Sequence, residues 1–320
     1  MRRTTSVRLA ILGAAAAAAL VSGGTTATLS AAPVATSSPA VAECEPGSGG
    51  LDTARVRDGG TAKEPELFPD NEANAYGTLK DSPYLGDGTV TIPTVFHSIS
   101  DAPLTSEGKT RMEAMIQKQM DVLNASFSGT TATGAADTPF RFTLDRVNWV
   151  VNSEWYTVTP GKTERDMKAA LHEGDSETLN VYSANIGDDL LGWAYFPKGY
   201  NDGRDFIDGV VILDESMPDG TAGKYALGDT LTHEVGHWLM LHHTFNNGCS
   251  ASGDFVADTP KQAHPQFNCP KDADTCAAPG LDPVHNFMDY TQDSCMDMFT
   301  EGQAQRMSDA WVAFRQVRDA

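Results

Sequence analysis

With 320 residues, 43 acidic against 23 basic side chains and a formal net charge of −20, the chain can hold one sizeable domain, and nucleic acid is an improbable partner. Loss of a leader would deepen the charge to −23, because residues 1–42 contain Arg2, Arg3 and Arg8 but no acidic group. Such a balance suits solubility outside the cell, attraction to basic substrates and calcium held by carboxylates.

Residues 1–42 form a secretory leader: a basic start, a mostly alanine apolar run from Leu9 to Val21, then small residues with Pro33 and Pro39. Ala40-Val41-Ala42 fits the small-x-small cleavage rule, and cuts near Ala27 to Ala35 fit as well. The apolar run is short and nothing like it follows, so no membrane span is expected and the product is secreted and extracellular. Residues 43–88 are rich in Gly, Pro, Asp and Glu without a sustained apolar period, and read as a loosely ordered pro-segment or linker.

The catalytic domain is expected over residues 89–320. A strand over residues 89–99 shows two-residue alternation at Val90, Ile92, Thr94, Phe96 and Ser98, and Pro93 inside it argues for an edge position or a local irregularity. An amphipathic helix follows from Ser106 to Phe127, with Met112, Met115, Ile116, Met120, Leu123 and Phe127 at helical steps and Ser106 as its N-cap. Short strands are expected at residues 141–151, 178–183, 191–196 and 209–213. A second helix is expected over about 226–241, and a last one near 301–317. Between these two helices the sequence is rich in Cys, Pro, Asp and Gly, and no internal repeat is visible. The layout is α+β, a single domain with an irregular second half. In an oxidising compartment Cys249, Cys269, Cys276 and Cys295 read as two disulfides with three permitted connectivities; a thiolate metal cluster would lack any CxxC pair. Cys44 is left over.

The chemistry is carried by the second helix. His233 and His237 lie one turn apart on one face, and Glu234 beside them can reach a water on a shared ion without ligating it. A catalytic zinc normally keeps three protein ligands. His243 is the natural third, but it would face away if the helix simply continued, so the chain must turn sharply after about Leu239. His242 competes with it, and an Asp or Glu in that role is a further alternative.

The strings HEVGHWLMLHHTF, CSASGDFVADTP, NCPKDADTC and DPVHNFMDYTQDSCMDMFTEGQAQRM resemble the pappalysin family of metzincin metallopeptidases. Upstream, TIPTVFHSI, QMDVLNASF, LNVYSANIGDDLLGWAYFP and DGVVILDE fit the same family in the same order, from about residue 89 to 307. The resemblance implies a zinc endopeptidase acting on proteins or peptides, and a monomer is expected. Its cleft would lie between an N-terminal subdomain, with a mixed sheet and two long helices, and an irregular disulfide-bonded C-terminal one.

By position, the resemblance makes His233, His237 and His243 zinc ligands, Glu234 the general base, Met288 an apolar floor beneath the metal and Tyr290 an oxyanion-stabilising group. It pairs Cys249 with Cys276 and Cys269 with Cys295. It also suggests calcium at Asp254, Asp258 and Thr259, against the plainer alternative of solvated loop carboxylates. Cys44 would be a latency switch, although Glu43 and Glu45 do not supply the usual basic and glycine context. Asp289, Asp293 and Asp297 follow the methionine turn, and Asp293 is the first candidate for selecting Arg or Lys after the scissile bond. One departure stands out: Met240 replaces the glycine that turns the chain toward the third histidine. It motivates the competing function, a catalytically impaired domain acting as a metal-stabilised binding module.

Overall fold

The computed structural model describes residues 54–60, 77–187, 189–197 and 203–317; the leader and Cys44 lie outside these residues. Among them, strands run at Ala54–Val56 (β1), Val90–Ser100 (β2), Phe140–Val151 (β3), Leu179–Ala184 (β4), Leu190–Ala194 (β5) and Val210–Leu213 (β6). They form one mixed sheet in the order β1-β5-β6-β4-β2-β3. β2, β3, β4 and β6 are parallel, whereas β5 runs antiparallel to both β6 and β1.

Three helices cover the sheet: α1 at Ser106–Phe127, α2 at Lys162–Leu171 and α3 at Asp229–Trp238. Successive side chains of a strand point to opposite faces, and this divides the core. Ile92, Phe96, Val181 and Ile212 pack with the methionines of α1 and with Leu231, Val235 and Trp238 of α3. Tyr182, Val211 and Leu213 pack on the other face with Met167 of α2. β4 and β6 are buried throughout, as expected for central strands.

Local details differ from the expectations. The N-cap of α1 is Thr105 rather than Ser106, because the Thr105 hydroxyl accepts from Gly108 N at 3.1 Å and Ser106 is already helical. β2 is not an edge strand, since it lies between β3 and β4. Pro93 is tolerated because pairing with β4 starts only at Thr94, and the register with β3 shifts between Thr94 and Val95. Part of the region read as loosely ordered is paired: β1 adds to the outer edge of β5. β5 is pinned from α2, where buried Glu164 accepts from Trp193 Nε1 at 2.7 Å and from the Tyr195 hydroxyl at 2.8 Å and pairs with Lys168 at 3.0 Å.

After α3 the chain is mostly irregular until α4, Glu301–Ala310, which a π-helical turn extends through Trp311–Arg315. Disulfides join Cys249 to Cys276 and Cys269 to Cys295, so these four cysteines do not form a thiolate cluster. Arg315 closes the domain by pairing with Asp208 at 3.0 Å and lying 3.4 Å above the Trp238 ring, so the C-terminal turn braces the end of α3.

Candidate metal centre and cleft

α3 is shorter than its apolar pattern suggested, and its end shapes the site. Met240 N donates to His237 O at 2.8 Å and Leu241 N to Gly236 O at 2.9 Å, the paired bonds of a Schellman cap. Met240 itself takes the left-handed conformation, with φ 77°. The methionine thus makes the turn that a glycine would make, and the chain folds back to His243.

The result is a cluster of three imidazoles. The Nε2 atoms of His233, His237 and His243 lie 3.1, 3.1 and 3.0 Å apart. Nitrogens held tetrahedrally at ~2.0–2.1 Å from zinc lie about 3.3 Å apart, so the spacing fits that ion. The opposite ring nitrogens fix the tautomers: His233 Nδ1 donates to Phe287 O at 2.6 Å and His237 Nδ1 to Leu241 O at 2.7 Å, leaving their Nε2 lone pairs toward the centre. Burial lowers the pKa of all three, that of His237 to about 4, so the rings are neutral and ready to ligate.

His242 does not join them. Its ring lies between Phe196 and Phe255, at 4.9 and 5.1 Å, with both nitrogens buried and without hydrogen-bond partners. Among the described residues no carboxylate joins the cluster either.

Glu234 is fully buried, and burial raises its pKa well above the usual carboxylate range. Its Oε1 accepts from the backbone N–H of Arg55 at 3.2 Å. Space for the carboxylate comes from Gly192 on β5, where a Cβ would stand 2.9 Å from Glu234 Cγ and Oε1. Gly236 makes similar room for Met288, whose Sδ would lie 2.4 Å from a Cβ at that position. The Met288 segment also orients the imidazoles: Phe287 supplies the carbonyl for His233, and Met288 O accepts from Thr244 N at 3.1 Å. The Tyr290 ring stands 4.8 Å from that of His243 and 5.9 Å from that of His233.

Beyond Glu234 lies a buried polar pocket filled by Arg55. The guanidinium Nη2 is 2.9 Å from Asp293 Oδ1 and donates to Thr291 O at 2.7 Å, while Nη1 donates to Thr230 Oγ1 at 3.1 Å. The Tyr225 ring lies 5.3 Å away. The two other acidic residues behind the methionine turn are engaged elsewhere. Asp289 accepts from Gln262 and Gln266, and Asp297 lies near His285.

The suggested calcium residues divide. The Asp254 carboxylate is buried and meets Thr259 Oγ1 at 2.6 and 2.8 Å, with Val256 O 3.0 Å from the same hydroxyl. Asp258 instead accepts from Thr300 Oγ1 and Gly302 N, both at 2.8 Å, and so serves the start of α4.

The family model described as pregnancy-associated plasma protein-A, a peptidase of the M43 class, matches residues 162–312. An extracellular metalloprotease of Neurospora crassa is 38% identical over 230 residues, covering 71% of this chain and 76% of its own. Extracellular metalloprotease 1 of Coccidioides posadasii is 37% identical over 260 residues, 80% of this chain and 89% of its own. The chain is a pappalysin, a metzincin zinc metallopeptidase. This pappalysin is an extracellular hydrolase of peptide bonds, and among its described residues no helix is long and apolar enough to cross a membrane. Solved structures agree with the fold. Mature mirolysin of Tannerella forsythia with a cleaved peptide matches at TM-score 0.57 and 31% identity, covering 69% of this pappalysin and 91% of mirolysin. A promirolysin mutant from the same organism matches at 0.60 and 27%, covering 76% and 85%.

Three contributors to the cleft escaped the sequence reading. Arg55 sits in a segment without periodicity, and its partners are more than 170 positions away. Gly192 and Gly236 act by lacking a side chain. The glycine inside HEVGH was at least visible as an unfavourable residue in a helix interior, which signals close packing.

Proposed function

We propose that His233, His237 and His243 hold the catalytic zinc and that Glu234 is the general base of an endopeptidase. The observation that carries this reading is the buried Glu234 carboxylate beside three converging, neutral Nε2 atoms, with a backbone amide hydrogen-bonded to it. Zinc held by His233, His237 and His243 would lower the pKa of a bound water and polarise the substrate carbonyl. Glu234 takes a proton from the attacking water and carries it to the leaving nitrogen. Tyr290 stands beside the imidazoles, where it can donate to the developing oxyanion. Met288 provides the apolar floor, and its rigid loop keeps His233 in register. Retention of Glu234, which a purely structural metal would not need, favours an enzyme over a metal-stabilised binding module.

Preference for Arg or Lys immediately after the scissile bond is part of this proposal. Asp293 is the residue that selects them, and the support is the Arg55 guanidinium at its carboxylate. Calcium at Asp254, Asp258 and Thr259 belongs to the same proposal, since carboxylate and hydroxyl oxygens suit a hard cation.

A digest of a complex peptide mixture tests the main reading. Glu234→Gln is expected to keep about one zinc per chain while turnover falls by at least ~10²–10⁴. Undiminished turnover rules out the assigned base. In the same mixture Asp293→Ala is expected to lose selection for basic residues after the cut while still hydrolysing peptides; persistent selection of Arg and Lys removes Asp293 from that role.

A further inference from the structure

The three imidazoles are not held alike. His233 and His237 each give the Nδ1 proton to a backbone carbonyl, whereas the hydrogen-bonding contacts of the His243 ring among the described residues are the two other Nε2 atoms alone. Its backbone is fastened on both sides, since Thr244 N donates to Met288 O at 3.1 Å and Asn246 N to His243 O at 2.9 Å. Its ring is fastened by other rings. Phe245 lies parallel to it, with centroids 4.7 Å and planes 13° apart, and Tyr290 makes T-shaped contacts with both, at 4.8 Å from His243 and 4.9 Å from Phe245.

Stacked rings do not act as a carbonyl does. A half-turn of the imidazole exchanges Nε2 for Cε1 while keeping the plane and the stack, so Phe245 sets the plane and leaves the flip to the ion. The stack also responds to charge. An aromatic face is negative, and an imidazole whose lone pair is drawn to a dication is electron-poor, so the attraction is stronger in the metal-loaded protein than in the empty one. A side chain that only fills space would hold both states equally.

We propose that Phe245 is the positioning residue of the third zinc ligand, its ring doing for His243 what the Phe287 and Leu241 carbonyls do for His233 and His237. This inference rests on the zinc-ligand reading above.

The test measures zinc affinity of the full secreted chain by competition with a chelator, and records the visible spectrum after loading with cobalt. Phe245→Leu keeps most of the volume and removes the aromatic face. It is expected to weaken zinc binding roughly 10–100-fold, as loss of a partner behind a ligand does, and to shift the cobalt bands. Phe245→Tyr should restore both. Phe267→Leu is the control, because Phe267 stands 5.9 Å from the Tyr290 ring and is not stacked on His243; it should bind zinc as the parent does. Parent-like affinity in Phe245→Leu, a loss that Phe245→Tyr does not recover, or an equal loss in Phe267→Leu overturns the inference. His243→Ala separates this from the underlying reading: if it retains zinc at parent affinity, the ligand set falls and the inference with it, whereas if it loses zinc, the ligand set stands whatever Phe245 does.

Discussion

Met240 carries two opposing energies. Its left-handed backbone costs a residue with a Cβ roughly 1–2 kcal/mol relative to glycine. Its side chain is fully buried against Phe196 and Ala310, and truncating a buried methionine costs about 2–5 kcal/mol. Packing therefore outweighs strain. Met240→Gly is expected to lower stability by about 1–3 kcal/mol although it restores the usual turn residue, while zinc content stays near one per chain. Thermal unfolding with metal analysis checks this, and a rise in melting temperature would show that strain dominates. The departure that raised a question about the third histidine thus leaves the cap intact: Arg306 Nε even donates to the Met240 carbonyl at 2.9 Å.

At the scale of elements, the metal centre depends on how closely α3 meets the Met288 loop. Gly236 allows that approach, so Gly236→Ala sets a helix-propensity gain of about 1 kcal/mol against an overpacking cost of about 1–3 kcal/mol. Met288 is fully buried, and its Sδ would lie 2.4 Å from the added Cβ, so the cost should win. The variant is expected to unfold at lower temperature and to release zinc more readily. Adding Met288→Ala should recover part of that loss, and a double-mutant cycle with additive losses would show that the two residues do not meet.

The same contact shows what the sequence could and could not convey. α1 and the histidine pair were legible because helical period and ligand spacing are local. The turn at Met240 was legible only as a requirement of His243, since nothing in the residue type announces a left-handed methionine. β1 is three residues long, too short for any period, and its binding partners come from far along the chain. Pro93 marked a local irregularity, the register shift between Thr94 and Val95, and not an edge position, because pairing with the neighbouring strand begins one residue later.

In the whole molecule, order is distributed unevenly. The sheet carries a core on each face, with α1 on one and α2 on the other, whereas His243, Met288 and Tyr290 lie in the irregular half, which two disulfides close over sequence separations of 27 and 26 residues. Closing loops of this size stabilises a fold by about 3–4 kcal/mol each when the native geometry is unstrained. Reduction under native conditions is therefore expected to release zinc and abolish turnover before the far-ultraviolet circular dichroism of the sheet and helices changes. Simultaneous loss of all three signals would show that the halves unfold together.

That imbalance bears on timing in the life of the protein. Inside a producing cell, thiols stay reduced, and a newly made chain can possess the sheet and both helical histidines while the segments that carry His243 and Met288 remain unfastened. On the expected outcome of reduction, sulfur oxidation during export would safeguard the producing cell's own proteins, since the capacity to break peptide bonds would mature only after the membrane has been crossed.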